Sequence, residues 1–437
     1  MALKHPEPDW ADRKPKVQFW KKLSQAPALM FSPAGRFILS RALLHYCWPI
    51  SSRGAAAYRR LRLCNTAFIA VVGSFGKTTA TRAITVAVGL PLGRDISNNA
   101  MGRLPMKIFR VSPHAQVAVF EIGIERPGQM RPVARLLKPR VAVVMSIGSE
   151  HNRSLGTLEN TRREKAEMVK ALPEDGVAIL NGDDENVLWM AGQTRARVVT
   201  FGFGEANMIR AGGYRLNWPH GSRFHIFVDG IERECSWGLL GRPSVYAALA
   251  ATAVGRELGI SVEKSLERLE QLPPTPDRLQ LLHLAGGISI ISDAYKSPEE
   301  TIHAALEVLA EVPAKRKIVV LGRINEPRHP IREKYRNVAA KAAAIADLFL
   351  LVDSFKEFKA GLNAAGVKQE VRVHCKGPPE AIDFLRRELK DGDVVLVKGR
   401  SDQRLERVSM ALAGERINCR RNLCPTSRIS CRDCPLC

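Results

Sequence analysis

From residue 67 onward the chain alternates short, almost wholly apolar runs with segments of helical period. Ala67 to Val72, Val117 to Glu121, Val141 to Ser146 and Val177 to Leu180 are each followed by a polar turn or a helical stretch. Continuous apolar strands in that alternation predict an α/β fold with a parallel, doubly wound sheet, because a strand covered by helices on both faces has no solvent side to mark with polar residues. Between 205 and 240 the pattern changes to shorter alternating stretches such as Arg223 to Val228, which predict antiparallel strands appended to the main sheet. The helical pattern resumes at Ser244.

The run Leu272-Pro-Pro-Thr-Pro-Asp277 cannot continue a helix and marks a linker. Beyond it Ile288 to Ile291, Lys317 to Leu321, Leu348 to Val352, Val371 to Val373 and Val394 to Val397 again alternate with helices, predicting a smaller, Rossmann-like sheet. The expected organisation is an N-terminal helical segment (1–66), a central domain (67–272), a C-terminal domain (273–416) and a cysteine-rich tail (417–437), with no internal repeat.

Near the start, the stretch Phe37 to Ile50 is interrupted by Ser40, Arg41 and His45 and falls short of the roughly 20 apolar residues that span a bilayer. The first twenty residues carry both charge signs and no small-residue cleavage site follows, so neither a signal peptide nor a membrane span is expected, and the protein is placed in the cytoplasm. Arg53, Arg59, Arg60 and Arg62 follow that stretch. A helix packed on the neighbouring domain is the favoured reading, with peripheral membrane contact as the alternative.

Composition narrows the class. Hydrophobic residues at 45% and charged residues at 25% are those of a folded soluble chain. The 66 basic against 44 acidic residues, net +22, would attract phosphate-bearing partners. The basic residues are nevertheless spread along the chain and no nucleic-acid-binding module is present, so a solvated basic surface is expected and no nucleic-acid partner.

The sharpest chemical signal closes the first strand. Val71-Val72-Gly73-Ser74-Phe75-Gly76-Lys77-Thr78-Thr79 leads directly into the helical pattern Ala80 to Val88. Such a loop wraps phosphates: glycines let backbone N–H groups converge, the helix N-terminus favours an anion, Lys77 adds charge and Thr78 is placed to hold magnesium. In the generic phosphate loop the first glycine stands five residues before the second, where this chain has Val71; its glycine is at 73.

This shortened G-x-x-G-K-T-T resembles the phosphate loop of the Mur ligase and folylpolyglutamate synthetase superfamily, and further motifs resemble the family in order. Ser97-Asn98-Asn99-Ala-Met-Gly102 looks like its substrate loop, which carries Asn98 and Asn99 over as substrate contacts. Phe120-Glu121-Ile122-Gly123 ends a strand in the carboxylate that the family uses for magnesium, and Ser146 to His151 matches its histidine for a second magnesium. Lys165, in Arg163-Glu164-Lys165-Ala166-Glu167, matches the lysine that the family carries as a carbamate; by composition alone it reads as a solvated helix lysine. In the second domain Asp277-Arg278-Leu279-Gln280 resembles the hinge arginine that reaches ATP, Asp293 in Ser292 to Pro298 the ribose-binding aspartate, and Val397-Lys398-Gly399 a strand end near the incoming amine.

The resemblance covers about residues 67 to 416, and within the family it leans toward the branch that adds D-alanyl-D-alanine. It implies a Mur-ligase-like fold and an ATP-dependent, ADP-forming joining of a small-molecule carboxylate to an amine through an acyl-phosphate, in peptidoglycan precursor synthesis. ATP would be bound by residues 73 to 79, Arg278 and Asp293; magnesium by Thr78, Glu121, His151 and Lys165; Lys77, His151, Lys165 and Arg278 would carry the chemistry, and Lys398 would face the amine. A monomer is expected.

Two departures keep alternatives open. Pro243-Ser244 follow Gly241-Arg242 where the family has a histidine and an asparagine, and the 66 residues before Ala67 bear no likeness to the family's UDP-sugar-binding domain. The same chemistry on a substrate without UDP therefore stays a rival, as does a non-catalytic nucleotide-binding protein. The ending is also foreign to the family: Cys419, Cys424, Cys431, Cys434 and Cys437 fall in the last nineteen residues. Their C-x-x-C-x-x-C spacing reads evenly as thiolate ligation, zinc ahead of an iron–sulfur cluster, or as a merely cysteine-rich tail.

Overall fold

The structure is a computed structural model that describes residues 43–44, 46–93, 99–149, 152–325, 330–424, 430–434 and 437. The segment before residue 43, Asn98 and His151 lie outside them.

The larger sheet contains β1 (Ala67–Val72), β2 (Val117–Glu121), β3 (Val141–Val144), β4 (Val177–Asn181), β5 (Arg197–Gly202), β6 (Ile209–Asn217), β7 (Gly221–Val228) and β8 (Ile231–Trp237), in spatial order β2-β1-β3-β4-β5-β6-β7-β8. Pairing is parallel from β2 through β6 and antiparallel from β6 through β8. Both faces of β1 and β3 are covered, which is why their sequences carry no polar alternation. Ile69, Val71 and Val143 face a core built with α2 (Lys77–Ala87) and the apolar run Val245 to Val254. Phe68, Ala70, Val72 and Val144 face the opposite core. In β7, by contrast, Phe224, Ile226 and Val228 point inward while Arg223, His225 and Phe227 lie on the outer face.

A helix at Trp48–Arg62, here α1, covers the second core at the β2 edge, burying Ala55 and, just past its end, Leu63. The Tyr58 hydroxyl donates to the Val111 carbonyl (2.9 Å). The expected packing of a basic helix on its neighbouring domain therefore holds for the described part of the N-terminal segment. Helices α3 (Leu104–Phe109), α4 (Met130–Leu137) and α5 (Leu158–Lys170) complete that face, and α6 (Arg242–Glu257) lies on the other. Pro243 sits in the first turn of α6, where its missing N–H leaves no bond unmade.

The smaller sheet, β9 (Gln280–His283), β10 (Ser289–Asp293), β11 (Arg316–Leu321), β12 (Leu348–Val352), β13 (Arg372–Cys375) and β14 (Asp393–Lys398), has the order β13-β12-β11-β14-β10-β9. Its strands are parallel except β9. Helices α7 (Glu299–Glu311) and α8 (Glu406–Leu412) lie among those that cover it. Between the sheets runs the proline-rich linker, and beside it Asp277 and Leu279 both adopt left-handed backbone (φ 55° and 46°). Neither is glycine, so this junction is locally strained. Asp277 is tied in place: its N–H donates to Gln280 Oε1 (3.1 Å) and it accepts from the Ser292 hydroxyl (3.0 Å).

The strand order 2-1-3-4-5 reverses direction at β1, and in such sheets the crevice beyond the carboxyl ends of β1 and β3 is the ligand site. Among the described residues no helix is long and apolar enough to cross a membrane.

Candidate active site

The glycine-rich turn after β1 falls at that crevice. Gly73 (φ 148°) and Gly76 (φ 76°) take backbone conformations that a side chain would oppose, and Gly76 is the residue from which α2 starts. The turn is stitched to the segment following β3, which leaves the strand after Val144. Ser74 N–H donates to the Ser146 carbonyl (2.8 Å), Phe75 N–H to Ser146 Oγ (2.8 Å) and Gly148 N–H to Ser74 Oγ (2.9 Å). A Cβ at Gly148 would stand 2.2 Å from the Phe75 ring, so glycine there is a condition of the loop's position. That three-way stitch fixes the position of the loop.

Lys77 and Thr78 open α2 and are buried. The Lys77 ammonium curls over its own loop, donating to the carbonyls of Gly73 (2.7 Å) and Ser74 (2.9 Å). Burial pushes its pKa down to about 8; Glu121 acts to raise it and Arg278 to lower it further. Lys165, on α5, reaches the same place from the other side: its amine donates to the Gly73 carbonyl and contacts Ser74 Oγ (3.3 Å). It is buried, not the solvated helix lysine that composition implies, and burial together with the neighbouring Lys77 charge holds its pKa well below the ordinary lysine range.

The carboxylate on this floor is Glu121, at the end of β2 and 3% exposed. Asn99 Nδ2 donates to its Oε1 (2.7 Å), while Oε2 is buried with no hydrogen-bond partner. An ionised oxygen without a donor is costly to bury, and a hard cation is the group that relieves it. Glu121 and the buried Thr78 are oxygen donors of the type magnesium takes, so the residues present fit that ion. Gly123 is what admits Asn99, since a Cβ there would lie 2.7 Å from its side chain.

The second sheet supplies a cation from above. Arg278, in the strained linker, stacks its guanidinium on the Tyr295 ring (4.4 Å) and lies close enough to Lys77 to depress it. The two units also touch across the crevice: Ser149 N–H and hydroxyl donate to the Glu300 carboxylate of α7 (2.9 and 2.6 Å). Asp293 ends β10 and accepts from Lys398 Nζ of adjacent β14 (2.6 Å). Lys398 also donates to the Lys296 carbonyl (2.6 Å) and is 2% exposed, so it is engaged as the partner of Asp293.

Sequence reasoning missed Ser146, Ser149, Tyr295 and Glu300. Only Ser146 had a visible signal, a polar residue directly after an apolar strand; the other contacts join segments far apart in the chain. Arg242, beside the altered Pro243-Ser244 pair, stacks on Phe203 (4.0 Å) and Tyr214 (5.7 Å).

The tail folds back on the second unit. Buried Arg407 donates to the carbonyls of Cys419 (2.9 Å) and Arg421 (2.6 Å), and Arg432 reaches Asp277 (3.4 Å). Among the described residues no group of three or more His, Cys, Asp or Glu is arranged to hold a metal ion. Burial and the Glu406 carboxylate push the Cys431 thiol up. The zinc reading of Cys419, Cys424, Cys431, Cys434 and Cys437 is therefore not supported.

Comparison with known proteins agrees with this architecture. Residues 71–255 match the Mur ligase middle domain and 277–401 the Mur ligase glutamate ligase domain. The UDP-N-acetylmuramoyl-tripeptide–D-alanyl-D-alanine ligase of Escherichia coli (strain K12) is 30% identical over 358 residues, covering 79% of this chain and 76% of that one. Its counterpart from Mycobacterium tuberculosis (strain H37Rv) is 28% identical over 373 residues, covering 79% and 73%. Among solved structures, MurF from Acinetobacter baumannii superposes with a TM-score of 0.74 at 22% identity, covering 84% of this chain and 80% of that one. MurF ligase from Thermotoga maritima in complex with ADP gives 0.72 at 22%, covering 83% and 84%; these two likenesses speak to the fold. On these matches the chain belongs to the Mur ligase family of ATP-dependent amide-bond ligases.

Proposed function

We propose that this protein uses ATP to activate a substrate carboxylate as an acyl-phosphate and joins it to an amine, in the D-alanyl-D-alanine-adding step of peptidoglycan precursor synthesis for which its relatives are named. We place it in the cytoplasm as a monomer, with small molecules rather than nucleic acid as its partners. The observation that carries the reading is the convergence of Lys77, Lys165 and Glu121 on one glycine loop, with Glu121 Oε2 buried and unpartnered.

A carboxylate is a poor electrophile, and transfer of the γ-phosphoryl group gives it a leaving group. Lys77 and Arg278 neutralise that phosphoryl from opposite sides of the crevice, and the backbone from Gly73 to Thr79 cradles the phosphate chain. Asp293 faces the ribose, Asn98 and Asn99 the acceptor, and Lys398, paired with Asp293, lies near the incoming amine. Magnesium, when bound, supplies positive charge to the ATP oxygens, with Thr78 and Glu121 holding one ion and His151 and Lys165 a second. Lys165 serves in a modified form: its amine, whose pKa burial lowers, attacks carbon dioxide as the free base, loses a proton and becomes a carbamate whose oxygens suit a hard cation. The Ser149–Glu300 contact holds the units closed and keeps water from hydrolysing the acyl-phosphate.

The test is isotopic. Acceptor labelled with 18O in its carboxylate should deliver one label to the released phosphate, in a reaction that requires both acceptor and amine. Label retained wholly in the product, or ADP release indifferent to the amine, sinks the ligase reading. Lys77→Ala should remove the activity and weaken ATP binding.

A further inference from the structure

The edge of the larger sheet beside β2 carries a surface that the proposed chemistry does not use. Just ahead of α1, Cys47 N–H donates to the Leu43 carbonyl (2.8 Å). Leu43, Ile50 and Leu61 are separated by seven and eleven residues, close to two and three turns at about 3.6 residues per turn, so they share one side. They are 60%, 77% and 69% exposed. Met106 and Phe109, on α3, are also exposed, and α3 packs against α1. Large apolar residues exposed singly are ordinary, whereas a row of them along a helix at a domain edge is not.

Charge on this surface has one sign. Arg53, Arg60 and Arg62 are exposed on α1. No acidic residue occurs anywhere between Asp12 and Asp95, a stretch with fourteen lysines and arginines, and none occurs in α3 or α4. The segment before α1 is itself basic and so does not complement the face by charge. A nucleic acid would satisfy the arginines and leave the leucines and isoleucine in water. An exposed apolar row flanked by arginines, without a carboxylate, is complementary to an interface with anionic headgroups at its surface and acyl chains beneath.

We infer that α1, with Leu43 ahead of it and α3 beside it, is a peripheral docking face for an anionic lipid bilayer. The helix lies in the plane of the interface, with Leu43, Ile50 and Leu61 inserted and Arg53, Arg60 and Arg62 at headgroup level. α3 begins five residues after Asn99, so docking brings the acceptor side of the active site next to the membrane.

The experiment is co-sedimentation of the full chain with vesicles of phosphatidylcholine alone and of phosphatidylcholine with phosphatidylglycerol. Binding should appear on the anionic vesicles, fall with added salt, and drop at least tenfold in Ile50→Ser/Leu61→Ser and in Arg53→Ser/Arg60→Ser/Arg62→Ser. Because the substituted side chains are exposed, thermal unfolding and ATP binding should stay at wild-type values. Lack of binding to anionic vesicles, equal binding to both compositions, or full binding by either variant would overturn the proposal. So would a concentration-dependent dimer that Ile50→Ser/Leu61→Ser dissolves, since the face would then serve a second copy of the chain.

Discussion

Lys165 and Lys398 are both sealed from water, at 3% and 2% exposure, and the protein treats them in opposite ways. Lys398 has a carboxylate, Asp293, at 2.6 Å and a carbonyl beside it. Lys165 has a carbonyl and a hydroxyl, and the charge that acts on it among the described residues is the like charge of Lys77. Burial lowers both pKa values, but at Lys398 the Asp293 charge opposes it, whereas at Lys165 Lys77 reinforces it. A buried cation with its counter-ion present is architecture, because removing either partner strands the other. A buried amine without one loses its proton more readily, and the free amine is the form that the proposed carbamate chemistry needs.

The largest effect expected is on turnover. Lys165→Ala should lower ligation by roughly 10²–10³-fold or more, the scale of losing a preorganised charge at the reacting centre. Initial rates of ADP release would check this, and 13C-bicarbonate should give a carbamate resonance in wild type that the variant lacks. Wild-type rates in Lys165→Ala at low bicarbonate would place this lysine with Lys398, as structure.

Stability should separate the pair by sign. Lys398→Met strands Asp293 and should cost about 3 kcal/mol, the lower end for a broken buried pair because Asp293 keeps some exposure. Lys165→Met replaces a buried amine that has no counter-ion among the described residues and should be neutral or stabilising. Urea denaturation of both variants tests the contrast, and adding Asp293→Asn to Lys398→Met should recover much of the loss.

Smaller still is the cost of disturbing the loop's seat. Gly148→Ala drives a methyl into Phe75 and should destabilise by about 1–3 kcal/mol, with weaker ATP binding as the loop shifts. Calorimetric melting and nucleotide titration give the two readouts.

The most gradual effect is a slope. Lys77 titrates at about 8 when folded and 10.5 in its ordinary state, so between those values the unfolded chain holds a proton that the folded chain has released. Stability should therefore rise with pH across that window and level off above it. Lys165 and Lys398, also lowered, contribute with the same sign. Lys77→Met should flatten part of the rise in denaturation curves taken between pH 8 and 10.5; an unchanged slope would mean that the Lys77 ammonium stays protonated in the folded protein.

The sequence by itself determined the strand alternation, the two sheets, the linker and the phosphate loop. These are local or periodic properties: apolar runs demand burial, prolines break helices, and a strand, glycine turn and helix in succession make an anion site wherever they occur. β5 and the edge strand β9 escaped notice because their short apolar runs have no clear period, and β3 ends two residues early because Ser146 bonds to the phosphate loop instead of a neighbouring strand. Glu121, Lys165, Arg278 and Asp293 were legible only through a resemblance, since nothing in a lone carboxylate or helix lysine says what lies opposite. It took the folded structure to show that Lys165 is buried against Gly73, that Glu121 keeps an unpartnered oxygen, that Lys398 belongs to Asp293, and that the tail folds back on the second unit. Burial and charge pairing are set by residues tens to hundreds of positions apart, and distance along a chain carries no record of distance in space.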